Sequence, residues 1–318
     1  MPRCGKIIAA VLLGTVTQLA WAMGPPAQAE TIAGSITWGG LARTYRLHFP
    51  AADDNTRPMP LIIALHGGGG TGARMEKLTL GGFNTLADKE GFMVVYPDGI
   101  ENHWNDGRAA VRYRTIREKI DDVGFISALI DYLVKERRVD KNRVYVTGIS
   151  NGAMMSFRLA CELTGKIAAI APVAGNLPDD LAPHCSPARP IPVLMISGTA
   201  DPLMPWGGGE AGSRRVKVGR VLSVAQTLKF WAAHNQCSPT PAITWESPRD
   251  PRDGTRVRKE VYGGGQEGAE VILYAIEGGG HSWPKGHQYL PEIFVGKTSQ
   301  NLDANEVIWN FFKKQSRK

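Results

Sequence analysis

The sequence predicts an α/β fold: a mostly parallel central sheet with helices on both faces. Three observations predict it. The runs at residues 60–65, 92–96, 167–173 and 191–196 are short and almost wholly apolar, the pattern of strands buried on both sides. Stretches with apolar residues at helical spacing separate them, as crossovers between parallel strands require. Glycine-rich or Pro-Asp-Gly turn signals close the runs, as at Pro97-Asp98-Gly99, and no low-complexity linker divides the chain.

In order along the chain, a leader comes first. Arg3 and Lys6 precede an apolar run at residues 7–13, loosely extended to Met23, and Ala27-Gln28-Ala29 offers a small-residue cleavage site. Residues 1–29 are therefore expected to be a secretory signal peptide, and residues 30–318 a single exported domain, periplasmic or secreted. The apolar run is too short and broken for a stable bilayer span, and no membrane partner is expected after cleavage. Residues 31–38 and 43–49 read as two strands joined at Gly39-Gly40. Residues 60–65 form a strand that runs into His66-Gly67-Gly68-Gly69-Gly70, and a helix with Leu78, Phe83 and Leu86 on one face follows. After the strand at residues 92–96, Asp121 and Asp122 open a helix with Val123, Ile126, Leu129, Ile130 and Leu133 at helical spacing. Residues 143–147 form a strand leading to Gly148-Ile149-Ser150-Asn151-Gly152, and a helix over residues 153–163 follows at once. Strands at 167–173 and 191–196, a helix at 221–234, strands at 243–245, 257–262 and 271–276, and a closing helix at 303–313 complete the reading. Residues 205–219 and 278–302 are the least regular.

The net charge of +7 is scattered, and its densest cluster is Arg214, Arg215, Lys217 and Arg220. A solvated surface accounts for it; attraction to an acidic polymer is the alternative. No zinc-finger, RNP or helix-turn-helix pattern is present, so nucleic acid is not an expected partner. No metal motif such as H-E-x-x-H and no phosphate-cradling loop appears, so neither metal nor cofactor is expected. Cleavage would leave Cys161, Cys185 and Cys237. One pair at most can form. Cys161 with Cys185 is the favoured pair and three buried thiols the alternative.

In a chain with 37 glycines, G-x-S-x-G is a weak signal by itself. Its context is stronger: strand, glycine-flanked serine, helix, the order a nucleophile elbow requires. Ser150 would stand at the positive end of the helix, where the Asn151 N–H can hold an oxyanion. Two further segments follow strands. Asp201 lies in Thr199-Ala200-Asp201-Pro202, and His281 in Gly278-Gly279-Gly280-His281-Ser282-Trp283. Serine needs a base to become a nucleophile, and the base needs an orienting acid. Ser150, Asp201, His281 is the chain order of the α/β-hydrolase triad, which makes that fold the expected one. Asp98 is a rival acid but precedes the serine; Asp179 and Asp180 read as solvated loop acids. His66 is a rival base whose glycine run better suits loop anchoring. His48, His103, His184, His234 and His287 read as surface or packing residues. His66-Gly67-Gly68-Gly69 resembles the HGGG oxyanion loop of esterases and lipases, so Gly67 or Gly68 should supply a second donor beside Asn151.

The segments LIIALHGGGGTG, FMVVYPDG, DDVGFISALID, RVYVTGISNGAMMSFRLACEL, APVAG, ISGTADPLMPW and IEGGGHSWP together resemble the secreted esterases grouped with polyhydroxybutyrate depolymerases, feruloyl esterases and acetylxylan esterases. The resemblance implies a serine esterase with Ser150, Asp201 and His281 as triad. It implies as substrate a polyhydroxyalkanoate oligomer or an acyl ester of plant polysaccharide. Relatives often carry another cysteine before the last long strand, and Tyr262-Gly263-Gly264-Gly265-Gln266 has none, so a second disulfide through Cys237 is not expected. Trp206 and Trp283 follow the acid and the base; one reading has them line the substrate pocket, the other has them pack the loops. The competing reading is a non-catalytic hydrolase-fold protein that binds an acidic polymer through its basic cluster.

Overall fold

A computed structural model describes residues 29–50, 57–109, 112–213 and 215–318. Residues 1–28 of the segment expected to be a signal peptide (1–29) lie outside the described residues, as does Arg214 of the basic cluster. The chain begins with an antiparallel hairpin, β1 (Glu30–Trp38) and β2 (Leu41–Phe49), turning at Gly39-Gly40. It continues through β3 (Met59–Leu65), α1 (Gly72–Leu78), α2 (Gly82–Glu90), β4 (Met93–Pro97), α3 (Arg114–Arg117), α4 (Asp122–Arg137), β5 (Val139–Ile149) and α5 (Asn151–Glu162). Then come β6 (Ala169–Val173), β7 (Val193–Gly198), β8 (Gly209–Gly212), β9 (Lys217–Val221), α6 (Val224–His234), β10 (Ala242–Trp245), β11 (Arg256–Tyr262), β12 (Val271–Glu277), α7 (Glu292–Val295) and α8 (Ala304–Phe312).

Ten strands form one sheet in the order β1-β2-β4-β3-β5-β6-β7-β12-β11-β10. The strands from β4 to β12 in that order are parallel, and antiparallel strands finish both edges. The apolar runs fall on the parallel strands because side chains there alternate between two cores. In β3, Leu61, Ile63 and Leu65 join the core with α4, α5 and α6, while Ile62 and Ala64 join the core with α1, α2 and α8. In β7, Val193 and Met195 face the first core, and Leu194 and Ile196 the second.

Three local expectations are corrected. The single helix expected after the glycine run is two helices, because Gly81 adopts left-handed backbone (φ 65°) and restarts the chain as α2. The irregular stretch before α6 holds a second, two-stranded sheet of β8 and β9, carried across a register shift between Glu210 and Gly212. Helix α6 begins at Val224 rather than at residue 221, because Ser223 and Gln226 close a capping box. Cys161 and Cys185 are joined as a disulfide that ties the end of α5 to the loop before β7. Cys237 is free and half-buried, and burial pushes its thiol pKa up.

Candidate active site

The turn between β5 and α5 sets the site. Ser150 has φ 59° and ψ −116°, a backbone region that non-glycine residues occupy at a cost of roughly 1–3 kcal/mol. Its N–H donates to Val173 O (3.0 Å), and its carbonyl accepts the Met154 N–H (3.0 Å), so the strained residue is pinned at both ends. The flanking glycines are required by contact. A Cβ on Gly152 would lie 2.4 Å from Leu65 O, and one on Gly148 would lie 2.7 Å from the Gly152 backbone. The sharp turn therefore exists only where β3, β5 and α5 meet backbone to backbone.

The loops after β7 and β12 bring the acid and the histidine together. His281 Nδ1–H donates to Asp201 Oδ2 at 2.7 Å, and both side chains are almost fully buried. The other carboxylate oxygen of Asp201 accepts the N–H groups of Leu203 (2.8 Å) and Met204 (2.7 Å), which fixes the carboxylate plane. His281 is held through its own backbone by Val295 O (2.5 Å) and by the Tyr289 hydroxyl, which donates to the His281 carbonyl (3.2 Å). Ser150 and His281 line one cleft of about 690 Å³.

Gly67, Gly68 and Asn151 line the same cleft. Their backbone N–H groups donate to no acceptor among the described residues. The side chain of Asn151 is committed elsewhere. Its Oδ1 accepts the Trp104 N–H (2.8 Å), and its Nδ2 donates to Trp104 O (3.1 Å) and Asp106 Oδ2 (2.6 Å). Asp106 is fully buried and paired with Arg108, whose Nη2 lies 2.6 Å from Asp106 Oδ2 and whose Nη1 donates to Val218 O (2.5 Å) on β9. On the other side, Trp104 Nε1 donates to His66 O (3.0 Å), and the indole packs on the His66 ring with centroids 4.9 Å apart. The segment from Trp104 to Arg108 thus braces the glycine loop, the elbow and the β8–β9 hairpin at once.

His66 is an anchor in this geometry. Its Nδ1–H donates to Gly67 O (2.8 Å), and its Nε2 accepts the Gly99 N–H (3.0 Å). The bond from Gly99 needs the neutral ring, since a protonated Nε2 cannot accept, and burial pulls the ring's pKa down from 6.5 to about 4. Asp98 is likewise engaged away from the cleft, accepting from Gly72 N (2.7 Å) and the Thr44 hydroxyl (2.7 Å).

The two tryptophans do not line the cleft. Trp283 is fully buried, with Nε1 donating to Asn305 Oδ1 (3.1 Å) and the ring edge-on to Phe83, because the loop after His281 turns inward against α2 and α8. Trp206 packs half-buried against the core of α4, α5 and α6. The aromatic lining comes instead from His103 and Tyr113, stacked with centroids 3.9 Å apart, and from Tyr289. His103 and His287, read as surface or packing residues, both face the cleft. The bracing segment also escaped the sequence reading. Its one signal was a tryptophan and an aspartate close together after a strand, in His103-Trp104-Asn105-Asp106-Gly107-Arg108. Within the basic cluster, Arg220 pairs with Asp179 (3.4 Å) and Glu210 (3.5 Å). No group of three or more His, Cys, Asp or Glu among the described residues could hold a metal ion. No helix among them is long and apolar enough to cross a membrane.

The family model described as esterase PHB depolymerase matches residues 43–182. A putative esterase, NocK, of Nocardia uniformis subsp. tsuyamanensis is 34% identical over 296 residues, covering 90% of this chain and 84% of that protein. The chain belongs to the PHB-depolymerase esterase family. An acetylxylan esterase of Coprinopsis cinerea is 30% identical over 300 residues, covering 86% of this chain and 76% of that protein. Feruloyl esterase B of Piromyces equi is 29% identical over 240 residues, and the match spans 41% of that protein. Among solved structures, an acetyl xylan esterase from Aspergillus awamori superposes with TM-score 0.53 at 15% identity, over 79% of this chain and 94% of that one. A thermostable esterase superposes with TM-score 0.55 over 90% of this chain and 63% of that one, also at 15% identity. These likenesses establish the α/β-hydrolase fold. As a member of this esterase family the chain is a carboxylic ester hydrolase.

Proposed function

We propose that this esterase works through an acyl-enzyme with Ser150 as nucleophile, His281 as base and Asp201 as the residue that orients and charges-balances the imidazole. The observation that carries the reading is the His281–Asp201 contact of 2.7 Å beside a left-handed Ser150, with Ser150 and His281 on one cleft. His281 Nε2 takes the Ser150 hydroxyl proton as Oγ bonds to the ester carbonyl carbon. The carbonyl oxygen becomes an oxyanion, held by the N–H groups of Asn151 and of Gly67 or Gly68. Collapse breaks the bond to the alcohol oxygen, and His281 hands it the proton. A water then repeats the sequence in reverse roles, releasing the acid and free Ser150.

The substrates are acyl esters of plant polysaccharide or polyhydroxyalkanoate oligomers, acted on outside the cytoplasm after removal of residues 1–29. Turnover of methyl ferulate, aryl acetate and hydroxybutyrate oligomers by the purified enzyme ranks these classes. Asp201→Asn is predicted to lower kcat by about 10⁴-fold, since the imidazole loses its correct tautomer and its counter-charge. A pre-steady-state burst of p-nitrophenol from p-nitrophenyl butyrate is predicted for the wild type. Linear release without a burst, together with wild-type kcat in Asp201→Asn, contradicts the acyl-enzyme route.

A further inference from the structure

The charge around the cleft is one-sided. No aspartate or glutamate appears among the described residues that line it, whereas Arg74 and Lys77 do. They stand three residues apart on α1 and so share a helix face. Arg74 Nη1 donates to Gly69 O (2.9 Å), which holds its guanidinium against the glycine loop expected to contact the scissile carbonyl. Neither cation has an ion-pair partner among the described residues, and the nearby acids are committed elsewhere. Glu76 lies between the two in sequence but binds Arg46 Nε (2.9 Å) and Asn84 Nδ2 (2.7 Å); Glu101 pairs with Arg114 (3.3 Å). The third lining cation, Arg108, is neutralised by Asp106. The remaining lining joins aliphatic side chains such as Met154, Leu203 and Met204 to the rings of His103, Tyr113 and Tyr289. A cleft with unneutralised cations and no lining acid, walled otherwise by aliphatic and aromatic side chains, raises the local concentration of an amphipathic anion.

We infer that Arg74 and Lys77 form a carboxylate subsite, so that the preferred substrate is an ester that also carries a free carboxylate. The inference rests on the esterase reading of the cleft and adds to it the charge of the substrate. Two substrates share this chemistry: a hydroxyalkanoate oligomer with its acid terminus, and an acylated uronic-acid oligomer. Planar guanidinium recognition suits a carboxylate, and the flexible ammonium adds a second donor.

The test compares matched pairs that differ only in charge. A 3-hydroxybutyrate trimer is set against its terminal amide, and acetylated galacturonic-acid oligomers against the corresponding galacturonamides, following hydrolysis of the shared ester bonds. The ratio of kcat/KM for acid over amide is read in the wild type and in an Arg74→Gln/Lys77→Gln variant, so that any general change in the variant cancels. At low ionic strength one pair is expected to favour the acid by roughly fivefold or more, the scale of a partly exposed charge-assisted contact. Which pair does so identifies the source of the carboxylate. The preference is expected to vanish in the variant and to collapse in about 1 M salt, where screening acts within ~3 Å. Ratios at or below one for both pairs, or a preference that survives in the variant, overturn the subsite and leave the esterase reading intact. No hydrolysis of either pair or of p-nitrophenyl butyrate overturns both.

Discussion

Asn151 divides two tasks between its backbone and its side chain. The N–H, the expected oxyanion donor, donates to no acceptor among the described residues, while the side-chain amide is held by Trp104 and Asp106. An unanchored residue at this point could rotate its peptide away from the oxyanion. Asp106→Asn keeps the shape but removes the charge that grips Asn151 and Arg108. It is predicted to lower kcat on p-nitrophenyl butyrate by roughly ten- to a hundredfold, a fraction of the ~3 kcal/mol that one oxyanion donor supplies. Steady-state kinetics beside a melting curve checks this; wild-type kcat at wild-type Tm would deny Asp106 its positioning role. Asp106→Ala is predicted to cost about 3–5 kcal/mol of stability, since it leaves Arg108 buried and unpaired. His66 contributes at the same scale through protonation. Its folded pKa of about 4 lies below the ordinary 6.5, so between those values the unfolded chain takes up a proton that the native ring refuses. Stability from neutral His66 is thus present above about pH 6.5 and is lost as pH falls toward 4, by up to about 3 kcal/mol. Urea unfolding of His66→Gln should show a flatter decline over that window; an identical decline would mean that His66 does not titrate this way.

At the scale of elements, the strand–turn–helix unit of β5 and α5 was legible because the chemistry of its turn is local. Two glycines at fixed offsets from Ser150 are readable from the sequence, and the structure gives each a backbone contact to avoid. The apolar parallel strands were legible for a similar reason: burial on both faces leaves nothing polar in them. Features that depend on distant partners were not. Val221 reads as the start of a helix, but β8 captures it as a strand residue. Trp283 follows closely after His281 in sequence, yet the loop turns it into the core, where Asn305 on α8 takes its indole N–H. His103 carries no local mark of its place on the cleft. The disulfide acts between elements too, closing a loop with a sequence separation of 24 between α5 and the approach to β7. By the chain-entropy relation, Cys161→Ser/Cys185→Ser is predicted to lose about 3 kcal/mol of stability. Denaturant titration checks it, and an unchanged midpoint would show the bridge to be dispensable.

Across the whole molecule, the parallel order β3-β5-β6-β7-β12 delivers every expected catalytic group to one edge of the sheet. The glycine loop follows β3, Ser150 follows β5, Asp201 follows β7 and His281 follows β12. Ligand sites of open α/β sheets gather at that carboxyl edge, which is why a serine, an acid and a histidine each placed just after a strand read as a triad. The central claim is that Ser150 is the nucleophile and depends on His281. It is tested most directly by treating the enzyme with a p-nitrophenyl phosphonate ester and mapping the adduct by peptide mass. One adduct per chain, on Ser150, with little labelling in His281→Ala, is the predicted result. An adduct on another residue, or equal labelling of Ser150→Ala, would contradict it.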